Sequence, residues 1–227
     1  MRYRRFINLP LAAVFFIILL LILVLIPLFI AGAFRMLGFS PLQTFFLFFF
    51  SLIGSVVNIP IYSMTVQQRI QRPRDGFLID LLYPERYFSH QKMKSTVAVN
   101  LGGAVIPAMI CLYLMIQNSH LIWQYLIGTT VMSVICYKLA RPIRGVGISM
   151  PFLIPPLAAA LIALLLPGQP QQAIAYVSGV SGVIIGADIL NLKKTIGMGS
   201  RTLSIGGAGT FDGIFLTGIV AVFLTAL

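Results

Sequence analysis

The sequence predicts an all-α fold, a polytopic bundle of about seven transmembrane helices that forms one integral membrane domain over residues 1–227. Hydrophobic residues make up 59% of the chain and charged residues only 9%, whereas a soluble domain has about 25% charged residues. Apolar runs of roughly 18 or more residues recur, each long enough to cross a hydrocarbon core about 30 Å thick. Because the runs are continuous rather than alternating, they favour helices over a closed barrel.

Seven apolar segments, separated mostly by short polar or Pro- and Gly-containing connections, are the predicted spans. They are Leu11–Ala33, Leu42–Tyr62, Val97–Ile116, Leu121–Leu139, Val146–Leu166, Gln172–Leu192 and Ile205–Leu227. The long connection 63–96 contains the partly amphipathic stretch DGFLIDLLYPERYF, which is consistent with either an interfacial helix or an ordinary loop. We expect the first span to remain uncleaved, because its apolar run exceeds the roughly 7–15 residues of a usual signal peptide.

The distribution of basic residues predicts the orientation. The chain carries 16 Lys and Arg against 5 Asp and Glu, a net charge of +11. If the N-terminus lies in the cytoplasm, all basic residues except Arg35 fall on the cytoplasmic side. That distribution follows the positive-inside rule, so we expect the inner membrane, a cytoplasmic N-terminus and an outer C-terminus. The basic excess therefore indicates contact with the anionic lipid bilayer and not with nucleic acid.

Two acidic residues lie inside predicted spans. Asp188 belongs to span six and Asp212 to span seven. Counting about 1.5 Å per residue from the outer ends, both reach a level roughly 6–8 Å inside the cytoplasmic edge of the core. An ionised carboxylate at membrane depth costs about 2.5–3.5 kcal/mol on insertion scales, so it usually faces a partner or a water-filled cavity. Two acids at one depth on consecutive helices predict a shared site in which like-charge repulsion lets the pair share a proton.

An alternative reading gives these two acids structural roles. Asp188 is close in sequence to Lys193 and Lys194, and Asp212 to Arg201. Ion pairs or helix caps of this kind are common for buried charges.

Small, polar and helix-breaking residues near the two aspartates complete the predicted site. Glycines at a helix start weaken it and allow close backbone approach, and prolines free carbonyls in helices that line cavities. The supporting residues are Gly186, Asn191, Gly206, Gly207, Gly209, Gly213, Asn58, Asn100 and Pro151. We expect no cofactor and no metal, because the chain has two histidines and its cysteines, Cys111 and Cys136, lie inside apolar runs as core residues.

An internal similarity relates two pairs of spans. SLIGSVVNIPIY resembles SGVIIGADILNL, which aligns Asn58 with Asp188, and NLGGAVIPAMICLYL resembles SIGGAGTFDGIFLTGI, which aligns two Gly-Gly-Ala triplets. Both pairs run in the same direction through the predicted membrane. Such repeats are typical of transporters.

The chain from about residue 96 onward resembles an uncharacterised family of prokaryotic integral membrane proteins, classified only as a domain of unknown function. The segments that carry this resemblance are VAVNLGGAVIP, GVGISMPFLIPPL, AYVSGVSGVIIGADILNL and SIGGAGTFDGIFLTG. The family brings no activity with it.

A more distant resemblance concerns two helices. Intramembrane aspartyl proteases of the presenilin and signal-peptide-peptidase type carry one Asp on each of two successive helices, the second in a Gly-x-Gly-Asp motif. Gly209-Thr210-Phe211-Asp212-Gly213 is similar but has one more residue between Gly and Asp, and Ala187-Asp188 stands where that family often has Tyr-Asp. The resemblance implies that Asp188 and Asp212 are catalytic.

Three functions follow as hypotheses. The first is an intramembrane aspartyl-dyad hydrolase acting on a membrane protein through Asp188 and Asp212. The second is a proton- or cation-coupled transporter or channel in which the same aspartates bind the ion. The third is a non-catalytic membrane assembly factor, which would tolerate neutral residues at both positions.

Overall fold

The computed structural model describes residues 9–71, 88–143, 147–196, 202–207 and 213–226. Most of them are helical, as the sequence predicts. The α-helices are α1 Leu9–Met36, α2 Pro41–Gly54, α3 Ile106–Gln117, α4 Ile122–Leu139, α5 Ile154–Leu165, α6 Gln171–Val183, α7 Leu192–Thr195 and α8 Gly213–Leu224. A π-helical turn, Leu101–Val105, leads into α3, and a second, Ile184–Ile189, continues α6. A 3-10 turn, Ser119–Leu121, precedes α4.

Three helical stretches are long and apolar enough to cross a bilayer: Ala13–Met36, Ser119–Leu139 and Gln171–Ile189. They identify a membrane protein. Four shorter apolar helices, Pro41–Gly54, Leu101–Gln117, Ile154–Leu165 and Gly213–Leu224, lie within the other predicted spans. Each of these four is shorter than the roughly 20 residues that a membrane-crossing helix needs.

The expectation of helices alone is wrong, because the chain also forms a three-stranded sheet. Its strands are β1 Asn58–Gln71, β2 Phe88–Asn100 and β5 Thr202–Ile205, in the order β1-β2-β5. β1 runs antiparallel to β2, and β2 runs parallel to β5. A second, two-stranded sheet pairs β3 Arg141–Ile143 with β4 Gly147–Ser149. The strands occupy parts of several predicted spans, so the helices in those spans are shorter than the sequence predicts.

The predicted span Leu42–Tyr62 shows why part of an apolar run forms a strand instead of a helix. α2 begins at a capping box, in which Ser40 accepts from the Gln43 backbone N–H and the Gln43 side chain accepts from that of Ser40. It ends at Gly54, and the chain continues as a strand through the β-branched residues of VVNIPIY. β-branched residues favour strands, and proline cannot continue a helix. An apolar run alone cannot distinguish the two conformations.

The described parts of the connection 63–96 are two antiparallel strand segments. Ser63 pairs with Thr96 and Gln71 with Phe88, so both described arms of the connection belong to β1 and β2. The stretch predicted as an interfacial helix or loop lies outside the described residues, apart from its last residue, Phe88, which begins β2.

α6 is the central helix of the bundle. Its residues from Ala173 to Val180 are all buried. On one side a Cβ placed on Gly182 would lie 2.3 Å from the Cβ of Met132 in α4. On another side a Cβ on Gly179 would lie 3.1 Å from Ala159 in α5 and from Thr217 in α8. Small residues thus let three helices approach α6 closely, which is the usual basis of helix association in lipid.

α1 lies at the edge of this bundle. It contacts α8 near its C-terminal half, where the ring of Phe29 stacks on Phe223 at a centroid distance of 4.1 Å and Phe34 meets Phe215 at 6.4 Å. The described side chains from Ala13 to Ile26 are exposed.

Candidate functional site

Asp188 lies in the π-helical turn Ile184–Ile189 that continues α6. A π-helical turn widens the helix by one residue and is frequent at functional sites. The carboxylate is half-buried, and its Oδ2 accepts a hydrogen bond of 3.0 Å from the backbone N–H of Gly206. A hydrogen bond to an ionised acceptor is about twice as strong as a neutral one. The acid of span six is therefore tied to the segment that precedes span seven.

Gly206 is positioned by the sheet and by a second glycine. It follows β5, whose Ser204 pairs with Ala98 of β2. Its φ of +67° is a left-handed conformation that glycine adopts without strain. A Cβ placed on Gly103 would lie 2.0 Å from the carbonyl oxygen of Gly206, so the two backbones touch and neither position has room for a side chain. Gly103 and Gly206, one from each of the two Gly-Gly-Ala triplets that the sequence aligns, are therefore neighbours in space.

A buried asparagine joins these segments to α2. Asn100 has no exposed surface. Its Nδ2 donates to the carbonyl of Ser55 at 2.6 Å and to Oδ1 of Asn58 at 3.2 Å. Its Oδ1 accepts from the Gly103 N–H at 2.7 Å. Both donor hydrogens of this buried amide and one acceptor site of its oxygen are therefore used, and they connect the end of α2, β1 and the π-helical turn that leads into α3.

Ser204 extends this network and was not among the predicted site residues. Its Oγ donates to Oδ1 of Asn58 at 2.5 Å, which links β5 to β1 across β2. The signal for it was its place in Ser-Ile-Gly-Gly, two residues before Gly206. That signal becomes meaningful only once the strand pairing is known.

A second buried asparagine supports the helix end beneath Asp188. Asn191 has no exposed surface and donates from Nδ2 to the Gly186 carbonyl at 3.0 Å. Its Oδ1 accepts from Lys194 Nζ at 3.0 Å, and its backbone carbonyl accepts from Thr195 Oγ1 at 2.9 Å. Nζ of Lys194 also lies 4.2 Å from the centre of the Tyr137 ring. Lys194, which the alternative reading offered as an ion-pair partner of Asp188, therefore has two described contacts of its own.

Asp188 lines two cavities. The first, of about 160 Å³, lies between the π-helical turn and β5, and Gly147, Thr195 and Gly207 also line it. The second, of about 280 Å³, lies beside the segment that leads into α5, and Pro151 and Gly213 line it. A single water needs roughly 10–15 Å³ of such space. Both cavities can therefore hold several water molecules against the carboxylate.

The structure brings most of the predicted residues to this place. Asp212 and Gly209 lie outside the described residues. Those that line the cavities with Asp188 are Gly207, Gly213 and Pro151. Those that hydrogen-bond to Asp188, or support the segments around it, are Gly206, Asn58, Asn100, Gly186 and Asn191.

The fold and the site define a helical membrane protein in which a small sheet places Gly206 next to the half-buried carboxylate of Asp188. The family model described as "Protein of unknown function (DUF1614)" matches residues 52–224, which contain every described contact of the site. The chain belongs to that family. Searches of the curated proteins and of the solved structures each gave no match.

Proposed function

We propose that the protein is a membrane-embedded aspartyl-dyad hydrolase that cleaves a segment of a membrane protein through Asp188 and Asp212. One observation carries this proposal. Asp188 and Gly213 line the same cavity of about 280 Å³, and Asp212 is the residue bonded to the nitrogen of Gly213. We assign the second carboxyl group to Asp212 because it is adjacent in sequence to Gly213, which lines the cavity with Asp188.

The reaction needs one ionised and one protonated carboxyl group. The ionised group takes a proton from water while the water oxygen attacks the scissile carbonyl carbon, and the protonated group gives its proton to the carbonyl oxygen. The tetrahedral intermediate then collapses as the C–N bond breaks. The carboxyl group that took the water proton gives it to the leaving nitrogen, and the other takes a proton from a hydroxyl of the intermediate, so both groups return to their starting states. Because Asp188 accepts a hydrogen bond from the Gly206 N–H, which leaves its second oxygen for water, we assign the base to Asp188 and the acid to Asp212.

The proposed topology supplies water from the cytoplasm. It has seven spans in the inner membrane, with a cytoplasmic N-terminus and an outer C-terminus, and the basic residues of the connections lie with the anionic lipid surface. The short helices complete their crossings with the flanking strand and loop segments, which are tolerated at membrane depth where protein or a cavity surrounds them. In this orientation the cavities at Asp188 lie nearer the cytoplasmic face.

The test is cleavage of a transmembrane peptide that carries a fluorophore and a quencher, by the purified full-length protein in proteoliposomes. Asp188→Asn and Asp212→Asn should each lower the cleavage rate by about 100-fold or more, and the double variant should lose no more than either single one. Asp80→Asn removes the same charge from the connection and should cleave like the unaltered protein. Equal rates in all variants, or no cleavage by the unaltered protein of any peptide in a panel, would contradict the proposal.

Proton- or cation-coupled transport is the second candidate, and a different observation favours it. Polar side chains of Asn58, Asn100 and Ser204 form a continuous hydrogen-bonded group beside the segment that contacts Asp188, where a helix is interrupted by a π-helical turn. Interrupted helices with polar groups are typical ion sites in transporters.

The same vesicles loaded with a pH-sensitive dye decide between the two functions. Proton entry that disappears in Asp188→Asn, without any peptide cleavage, indicates transport.

A further inference from the structure

A groove between α1 and α2 is separate from the site at Asp188. It has a volume of about 400 Å³ and shares no lining residue with the two cavities there. Its walls include Pro27, Leu28, Phe45 and Phe48, and Arg35 lies at one end. The volume falls within the range of roughly 300–1,000 Å³ that is usual for small-molecule sites.

The dimensions of the groove match an acyl chain. Pro27 and Arg35 are eight residues apart on α1, which corresponds to about 12 Å along the helix. One leaflet contributes about half of a 30 Å core, so the groove covers most of its depth. Leu28 and Phe45 on its rim are 62% and 58% exposed. The groove therefore opens sideways, toward the acyl chains of the bilayer.

The charge at the groove selects the head group. Arg35 is exposed and lies in the last turn of α1, at the end of a helical stretch long enough to cross a bilayer. None of the described residues that line the groove is acidic. A guanidinium matches the oxygens of a phosphate through two parallel hydrogen bonds. A lipid whose head group carries its own ammonium already has a cation near its phosphate, whereas an anionic lipid does not.

We propose that the groove between α1 and α2 binds one anionic phospholipid, with its phosphate on Arg35 and an acyl chain along Pro27 and Phe48. Ala31, a small residue in the wall, leaves the space for the chain. The buried hydroxyl of Thr44 in the same wall lies one turn inside α2. The site holds whether or not the protein is a hydrolase.

The experiment is native mass spectrometry of the full-length protein titrated with phosphatidylglycerol or with phosphatidylcholine of the same chains. The unaltered protein should bind one phosphatidylglycerol at least tenfold more tightly than phosphatidylcholine. Arg35→Gln should abolish that preference, and Arg35→Lys should retain part of it. Ala31→Leu should weaken the binding of both lipids, because it fills the space for the chain.

Arg141→Gln is the matched control, because Arg141 is an exposed arginine of β3 outside the groove. It should bind like the unaltered protein. Equal affinities for the two lipids would identify an annular lipid only and overturn the proposal. A full preference for phosphatidylglycerol in Arg35→Gln would also overturn it. So would tighter binding of oleate, titrated in the same way, than of phosphatidylglycerol.

Discussion

The first helix, α1, is more apolar than the central helix, α6, but it is much less buried inside the protein. The most apolar window of Ala13–Met36 is 6% buried inside the protein, whereas that of Gln171–Ile189 is 67% buried, although the first stretch is much the more apolar. In water the more apolar helix would be the one inside. In lipid an apolar side chain gains little by leaving the acyl chains for the protein, so apolar character does not determine which helix is central.

Small residues explain the difference. α6 presents Ser178, Gly182 and Gly186 of its π-helical continuation to α4, so the two backbones approach closely. α1 packs where Ala31, Gly32 and Ala33 follow one another in its C-terminal half, and there Ala33 is completely buried. Both helices therefore pack at groups of small residues.

Adding one methyl group to the central helix should have the largest effect. A Cβ on Gly182 would lie 2.3 Å from the Met132 Cβ and 3.2 Å from its backbone carbon, so α4 must move. We expect Gly182→Ala to lower the free energy of unfolding by about 3 kcal/mol, the upper range for overpacking. The change in the free energy of unfolding is measured by thermal denaturation in detergent, with size-exclusion chromatography as the readout of folded protein.

Gly213→Ala is the matched control for that substitution. A Cβ there would meet only the terminal methyl of Met150, at 3.7 Å. The change should be neutral or stabilising, because alanine is the better helix former by about 1 kcal/mol. Similar losses for both variants would show that helix approach is not what holds α6.

Removing the buried amide of Asn100 should have the next largest effect. Asn100→Ala leaves the Gly103 N–H without the side-chain oxygen to which it donates in a buried place. An orphaned buried group costs about 1–3 kcal/mol, and we expect a loss of about 2 kcal/mol in the same assay. Asn118→Ala removes one side-chain bond, to the Leu114 carbonyl at 3.2 Å, and should cost well under half as much. An equal loss would argue against the network as a support for the sheet.

Truncating the first helix in its exposed part should have the smallest effect. Leu20 is 64% exposed, so Leu20→Ala should change the free energy of unfolding by less than about 0.5 kcal/mol. Ile174 is fully buried in α6, and Ile174→Ala should cost about 2 kcal/mol, the low end for a core truncation, because lipid replaces water as the reference. If both substitutions cost the same, the comparison between the two helices fails.

The sequence predicted the long helices well. The predicted span Leu121–Leu139 corresponds to the helical stretch Ser119–Leu139, and Gln172–Leu192 to Gln171–Ile189. It missed the sheet, because the strand-forming residues after Gly54 continue an apolar run that only Ser55 and Asn58 interrupt. The parallel contact of β2 with β5 joins Thr96 to Thr202, a separation that no local pattern reveals.

The site was predicted in part. Asp188 stood out because a carboxylate is costly at membrane depth, and the glycines around it marked close backbone approach. Its contact with the Gly206 N–H depends on the register of β5, and the contribution of Ser204 depends on the same register. Neither could be read from residue types. The sequence similarity between the two Gly-Gly-Ala triplets was the best indication that these segments are neighbours, since Gly103 and Gly206 touch.

The parallel pairing of β2 with β5 also fixes an order of events during synthesis. Ala98 pairs with Ser204, so β2 can pair with β5 only after α3, α4, α5, α6 and then Asp188 itself have been made. Gly206, whose N–H donates to Asp188, follows β5, so the acid enters the membrane before its donor is held in place. Pairings of such long sequence separation form slowly, so the carboxylate acquires its final surroundings only after the helices around it have been inserted.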